Sequence, residues 1–470
     1  MSAKKRQSAR RSISDAFVDE VGQRLSENRR VRRTLPEGGR LHVDRPLPFL
    51  CIYRRPGDGD DPGTQRLVTG EAAFLIASGN PHLRRSVARL VRRIARSMGE
   101  RFGAMLLIEV YAAGELTHFV PPGGRGRRPP GPGGVPRQWK PGFALATKGP
   151  QPSGSTINAL LQSLRGIRVH RQTSEVELRR HTYGRPPGLP PLISAVEAKR
   201  MGCRLLGLEV RPIWRDAESG DFYPATLRTL RRRLSRALKE AFFAFVRAHT
   251  NVRPEHFYAL GRQTMVQAVW EVDRRLADVA DSFDFLLQVT PVNAEAAWRE
   301  FHRSRFRGPL RLAYRPLPAD PGVLKRRLFD VPIGRIEDPT LAHLFYQVQD
   351  ELDRKITLLR DIGTPRFLLG SRALFGGVPS SLLTFARQLL DAIPPHARDG
   401  DRRPLDAEQF AEAAERRIGD YRRAYAGFAA RATVRDDMYS GLLVSRGELL
   451  IGRRTRIPAA RGDPLLQHEV

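Results

Sequence analysis

The sequence predicts a mixed fold of α/β and α+β character, with an N-terminal α/β domain followed by a mostly helical domain that carries a small sheet. Three observations carry this. Strand-length apolar runs alternate with amphipathic helices up to about residue 280. Helical periodicity then dominates from Pro339 to Tyr425, and three short strand patterns follow it. A chain of 470 residues, 41% hydrophobic, is long enough for two or three domains with cores of their own.

Taken in order, residues 1–35 read as a basic flexible arm or a short surface helix. The α/β domain is expected over 36–280. PFLCIYRR (48–55) has strand length and composition, and the GDGDDPG run after it reads as a turn. In VARLVRRIARSMGERFG (87–103), Val87, Leu90, Val91, Ile94 and Met98 share one helical face, opposite arginines. AMLLIEVY (104–111) suits a strand buried on both faces. The Pro/Gly-dense, basic stretch 121–155 reads as an extended loop. TINALLQSL (156–164) is a helix pattern, and GIRVH (166–170) and RLLGLEVRPIW (204–214) are strand patterns. Leu227, Leu230, Leu234, Leu238, Phe242 and Phe245 mark a helix over 225–249, and a second is expected from Pro254 to about Phe283.

The second domain is expected over 281–470, opening at DFLLQVTPVN (284–293). Asp338 suits the N-cap, Pro339 the first turn and Gly363 the stop of a helix over 338–363. Further helices are predicted at 380–393 and 406–425. ATVRD, GLLVS and ELLIG (432–452) are short strands, the last two joined by Arg446-Gly447 in a tight hairpin. Asp463 and Pro464 then look like the N-cap and first turn of a final helix that runs into His468-Glu469-Val470.

Composition excludes several function classes. Two cysteines, Cys51 and Cys203, make neither a disulfide framework nor a thiolate zinc site, and buried thiols in a reducing compartment are expected. No apolar h-region follows the basic N-terminus, and no run approaches the roughly 18–20 apolar residues of a membrane span. A cytoplasmic protein without a membrane partner is therefore expected. The net charge of +30 favours acidic partners. Only eight of the 80 basic residues are Lys, however, and the Arg, Ala, Gly and Pro usage is what a GC-rich genome gives without functional demand. No zinc-finger, RNA-recognition or helix-turn-helix pattern accompanies the charge, so a specific nucleic-acid partner is not expected.

One dipeptide has the chemistry of a catalytic motif. In a zinc peptidase helix the imidazole is a neutral metal ligand, and the adjacent carboxylate takes a proton from the metal-bound water. A lone His-Glu pair is common by chance. His343 and Glu351, eight residues apart on one predicted helix, share a face, but a polar flank of a packed helix explains them more simply. His249, His256 and His302 have no ligand spacing. Gly57, Gly59 and Gly63 stand among acidic residues, which repel phosphate. Arg366, just past a helix stop, is a candidate anchor for a substrate's C-terminal carboxylate through a bidentate pair, with a surface arginine as the plainer reading.

Long segments from Leu41 onward resemble a known family. They are LHVDRPLPFLCIYRRP, RLVTGEAAFLIASGNP, LLGLEVRP, FDFLLQVTPVNAEAAWREF, IEDPTLAHLFYQVQDELDRKITLLRDIGTPRFLLGS, GLLVSRGELLIGRRTRIPA and LLQHEV. The chain resembles the bacterial flavohemoglobin expression-modulating QEGLA-motif family, which shares its catalytic domain with the microtubule-associated tyrosine carboxypeptidases of animals. Leu369 stands where that pattern has Tyr, which puts a substrate-side contact in question.

The resemblance implies a zincin-like metallopeptidase domain, Zn²⁺ as cofactor, and a substrate that is the C-terminus of a peptide or protein, with a weakly implied aromatic preference. An acidic substrate tail would suit the basic surface. The family's last helix continues as His-Glu-x-x-x-His, so His468 corresponds to the first zinc ligand and Glu469 to the general base. The second His and the later acidic ligand have no counterpart in 1–470, so the domain is expected to be incomplete at its C-terminus. A catalytic zinc needs three protein ligands and an open position. The chain as given is therefore expected to bind no stoichiometric zinc and to be inactive. Two alternatives stay open: a non-catalytic regulatory or binding protein, and nonspecific nucleic-acid binding through the basic surface.

Overall fold

The computed structural model describes residues 12–56, 61–113, 140–216, 219, 221–393, 403–438 and 441–470. The chain divides into two compact units: Met1–Val266 with Gly334–His343, and Gln267–Ile333 with Leu344–Val470. Together they make a mixed α/β protein with a sheet-rich first unit and a largely helical second.

The strands of the first unit are β1 (Val31–Thr34), β2 (Arg40–Val43), β3 (Phe49–Arg55), β4 (Ala73–Ser78), β5 (Met105–Ala112), β6 (Gly142–Lys148), β7 (Arg168–Val169), β8 (Gln172–Thr173), β9 (Glu175–Tyr183) and β10 (Cys203–Val210). Short β7 and β8 pair with each other, and the rest form one sheet in the order β1-β2-β4-β3-β5-β10-β6-β9. The centre is parallel: β4, β3, β5 and β10 run the same way, which puts Ile52 beside Glu109 and Glu109 beside Gly207. β2 and β6 run against their inner neighbours. Parallel strands need coverage on both faces, and the apolar runs FLCIY and MLLIEVY are buried accordingly.

The helices here are α1 (Asp15–Ser26), α2 (Pro62–Val68), α3 (Pro81–Phe102), α4 (Gly154–Arg165), α5 (Ala195–Arg200) and α6 (Pro224–His249). All six apolar positions predicted for the 225–249 helix are buried on α6. Phe242 of α6 stacks on Phe49 of β3 at 3.9 Å, which fixes α6 on one face of the sheet. Strand alternation sends Ile52, Arg54, Leu107 and Glu109 to the opposite face. Both cysteines are free and buried, and burial pushes the Cys203 thiol up to about 12.

Several sequence expectations are corrected. Of the arm or short surface helix expected over 1–35, residues 15–26 form a helix, α1, but it is not superficial: it sinks Val18, Val21 and Leu25 into the core behind a Ser14 cap; residues 1–11 lie outside the described residues. The end of the expected GDGDDPG turn opens α2, with Asp61 capping Thr64. Residues 142–148, expected in the Pro/Gly loop, are the buried strand β6, because GFALATK is apolar enough to pair beside β10; residues 121–139 of that loop lie outside the described residues. The helix expected from Pro254 to Phe283 is a single 3₁₀ turn at Phe257–Leu260 followed by a helix from Gln267, since Gly261 sits at the break.

The second unit contains α7 (Gln267–Ala280), α8 (Phe285–Val289), α9 (Ala294–Arg303), α10 (Pro321–Phe329), α11 (Pro339–Arg360, which begins in the first unit), α12 (Arg366–Phe375), α13 (Ser380–Ala392) and α14 (Ala407–Ala424). Strands β11 (Arg431–Arg435), β12 (Leu442–Ser445) and β13 (Glu448–Gly452) follow, and α15 (Ala459–Glu469) ends the chain. Asp338 caps α11 as expected, accepting from the Thr340 and Leu341 amides at 2.7 and 3.1 Å. Asp406 and Gln409 cap α14 reciprocally.

Candidate functional site

The predicted catalytic dipeptide stands on a small α/β platform. β13 is the middle strand, antiparallel to β12 and parallel to β11. The β12–β13 turn uses Arg446 and Gly447, both at positive φ, as the hairpin pattern requires. Phe410 and Ala414 of α14 pack with Leu449 and Ile451 of β13, Ile457 and Leu466, which anchors α15 beside the sheet. α15 begins at Ala459, so Asp463 is not its cap and Pro464 lies inside it. Pro464, sixth of its eleven residues, cannot donate the backbone bond to the Ala460 carbonyl, so the helix lacks that bond at its middle.

The anchoring sets where each side chain goes. His468 follows buried Leu466 by two residues, about 200° around the helix, and is exposed. Glu469 follows it by three, on the flank of the buried face, and is half-buried. Val470 packs against the same apolar cluster.

The remaining sequence candidates lie elsewhere. Arg366 is exposed at the start of α12, and among the described residues no hydrogen bond or ion pair joins it to His468 or Glu469. Leu369, the departure from the family pattern, is 68% exposed on the same helix. Glu351 is ion-paired with Lys355 at 2.7 Å, one turn along α11. His343 belongs to the first unit and lines a cleft there with Arg232, Arg236 and Tyr258. Among the described residues, no three His, Cys, Asp or Glu side chains converge as a metal-binding group. A catalytic zinc takes three protein ligands.

The platform's strongest electrostatic feature is Asp437, just after β11. Arg435 bonds its two oxygens at 2.7 and 2.6 Å and Arg315 reaches Oδ2 at 3.0 Å, and together they hold the carboxyl well below its ordinary range. Arg315 also donates to the Leu287 and Thr290 carbonyls, so it ties the chain around α8 to the sheet. This reads as a structural knot.

Residues 299–470 match the model of the microtubule-associated tyrosine carboxypeptidase family. The tyrosine carboxypeptidase match starts inside α9 and takes in the whole platform and α15, so this part of the chain is carboxypeptidase-like. No curated protein matches the chain. Among solved structures, a crystal structure of N-formylglutamate amidohydrolase from Ralstonia eutropha JMP134 is 16% identical over 43% of this chain and 94% of that chain, with a TM-score of 0.23. A superposition that poor says nothing about fold or activity.

Sequence reasoning missed a charged pair in the first unit. Arg54 and Glu109 are buried on adjacent strands, with Nε–Oε1 2.5 Å and Nη2–Oε2 3.0 Å. The signal was present: Glu109 is the one charge inside the apolar run AMLLIEVY. Burial raises the Glu109 pKa, against the pull of Arg54.

Proposed function

We propose that the chain is a zinc carboxypeptidase-like protein of the QEGLA-motif family, whose second unit forms the first part of a zincin-like catalytic domain. The observation that carries this is the tyrosine carboxypeptidase match over 299–470, which runs through the strand–hairpin–helix platform to His468-Glu469. On this reading His468 is the first zinc ligand, Glu469 the general base, and Arg366 an anchor for the substrate's terminal carboxylate. The substrate is the C-terminus of a peptide or protein, cleaved in the cytoplasm. Among the described residues no helix is long and apolar enough to cross a membrane.

Residues 1–470 alone offer one exposed imidazole and a neighbouring carboxylate, which is short of a zinc ligand set. We therefore propose that this polypeptide by itself holds no stoichiometric zinc and releases no C-terminal residue. Elemental analysis of the purified chain should give far less than one zinc, and a value near one overturns the proposal. The family reading has its own test in the coding sequence after the codon for Val470. A reading frame there that supplies a second His, expressed with the chain, should yield zinc binding and release of C-terminal residues from test peptides, both lost in His468→Ala. Unrelated sequence at that point overturns the enzyme reading.

A further inference from the structure

The first unit contains a cavity of about 340 Å³ on the sheet face opposite α6, within the usual range for small-molecule sites. Ile52, Leu107 and Leu205 from the three central parallel strands make an apolar floor, with Glu109 among them. The segment Pro191–Ala195 forms a wall, and Lys148, Tyr183 and Arg185 form the rim. The rim is held down by a backbone crossing: a Cβ on Gly207 would lie 2.3 Å from the Gly184 Cα, so only two glycines allow the chain after β9 to cross β10 this closely.

The charges in the cavity are unequally compensated. Glu109 has both oxygens bonded by Arg54, whose Nη1 also donates to the Pro190 carbonyl at 2.7 Å and ties the wall to the floor. That pair is neutral as a unit. At the rim, Lys148 Nζ lies 4.5 Å and Arg185 Cζ 5.3 Å from the centre of the Tyr183 ring. Among the described residues neither cation has a close ion-pair partner, although the charge of Arg185 also acts on Glu109 at longer range. Two positive charges gathered at one aromatic ring repel each other, and a shared anion relieves that cost. The mouth is thus positive, the floor apolar, and the one deep carboxylate would repel a second negative charge.

We propose that this cavity binds a small organic monoanion, with its acidic group between Lys148 and Arg185 and its apolar body over Ile52, Leu107 and Leu205. The site belongs to the first unit and does not depend on the carboxypeptidase reading of the second. The test is calorimetric titration of the full chain with 4-phenylbutyrate, its neutral amide and phenylphosphonate. One phenylbutyrate should bind per chain, and the amide should bind about tenfold or more weakly, as expected when charge-assisted hydrogen bonds are removed. Lys148→Ala with Arg185→Ala should weaken phenylbutyrate to a similar degree, and Ala195→Trp, which fills the mouth, should abolish it. These positions lie at the rim and wall, so both variants should melt with the wild type. Tighter phenylphosphonate binding, abolished in the same variants, would overturn the monoanion assignment, because a phosphonate carries close to a second negative charge at neutral pH. No saturable binding of either acid, or binding that survives both variants, overturns the proposal.

Discussion

His42, on β2, stacks against Phe74 at 5.3 Å, and its Nε2 is buried without a hydrogen-bond partner. Burial, and then the positive charge of Arg262, lowers its pKa from 6.5 to about 4. Between those values the unfolded chain takes up a proton that the folded chain refuses. Stability is therefore lost as pH falls from 6.5 to about 4, by up to about 3 kcal/mol over the whole window. Asp44 and Glu337 face the same ring. Burial opposes their ionisation, but Thr264 holds Asp44 low and Arg40 holds Glu337 low, so their stabilising contributions fade only at more acidic pH. A series of urea midpoints against pH should show the slope in wild type and a much flatter line in His42→Phe. An unchanged slope would place the acid sensitivity elsewhere. The Arg54–Glu109 pair gives the complementary case: Glu109→Gln leaves a buried guanidinium without its counter-charge, and a loss of about 3–5 kcal/mol in the same assay is expected.

Among the α-helices of the described residues, α12 and α13 stand apart because neither contains a buried residue. Leu382, Leu389 and Leu390 of α13 are 53%, 43% and 75% exposed. Apolar side chains gathered this way promote association. Replacing the three leucines with Gln should reduce self-association in sedimentation velocity while stability changes by no more than about 0.5 kcal/mol, as for other surface positions. Elements were legible in the sequence where one periodicity ran long enough: α3, α6 and the apolar strands β3, β5 and β10 all stood out. β9 did not, since EVELRRHTY has little apolar content and its residues are half-buried or exposed. β6 was hidden behind the Pro/Gly run that precedes it, and α1 behind the basic stretch MSAKKRQSARRS that precedes it. For the candidate site, the platform was visible but the geometry was not. Whether His468 faces a partner depends on which side of α15 Leu466 buries, and a dipeptide cannot encode that.

At the scale of the whole molecule, internal pairs such as Arg211–Glu175 and Arg262–Glu337 neutralise some of the 80 basic residues but leave the net charge of +30 unchanged. Arg299, Arg303, Arg305 and Arg307 are exposed around Trp298 and Phe306 on α9 and the turn after it. Sequence-independent binding to an oligonucleotide is expected at low salt. Replacing these four arginines with Gln should lower the slope of log affinity against log salt, read by fluorescence anisotropy. The drop should be up to about 0.9 for each phosphate that the protein no longer neutralises. An unchanged slope would remove this stretch from the binding surface. The first unit has a further consequence, because it is not continuous in the chain. Glu337, in the returning segment 334–343, is bonded by Arg40 and by Arg262, whose own side chain is nearly buried, and its carbonyl accepts from Arg231. A ribosome adding about 5–20 residues per second needs on the order of 4–15 s to travel from Val266 to His343. Throughout that interval the nascent first unit holds three guanidinium groups whose common acceptor has not yet been made. Its final closure is therefore timed by translation as well as by its own folding rate.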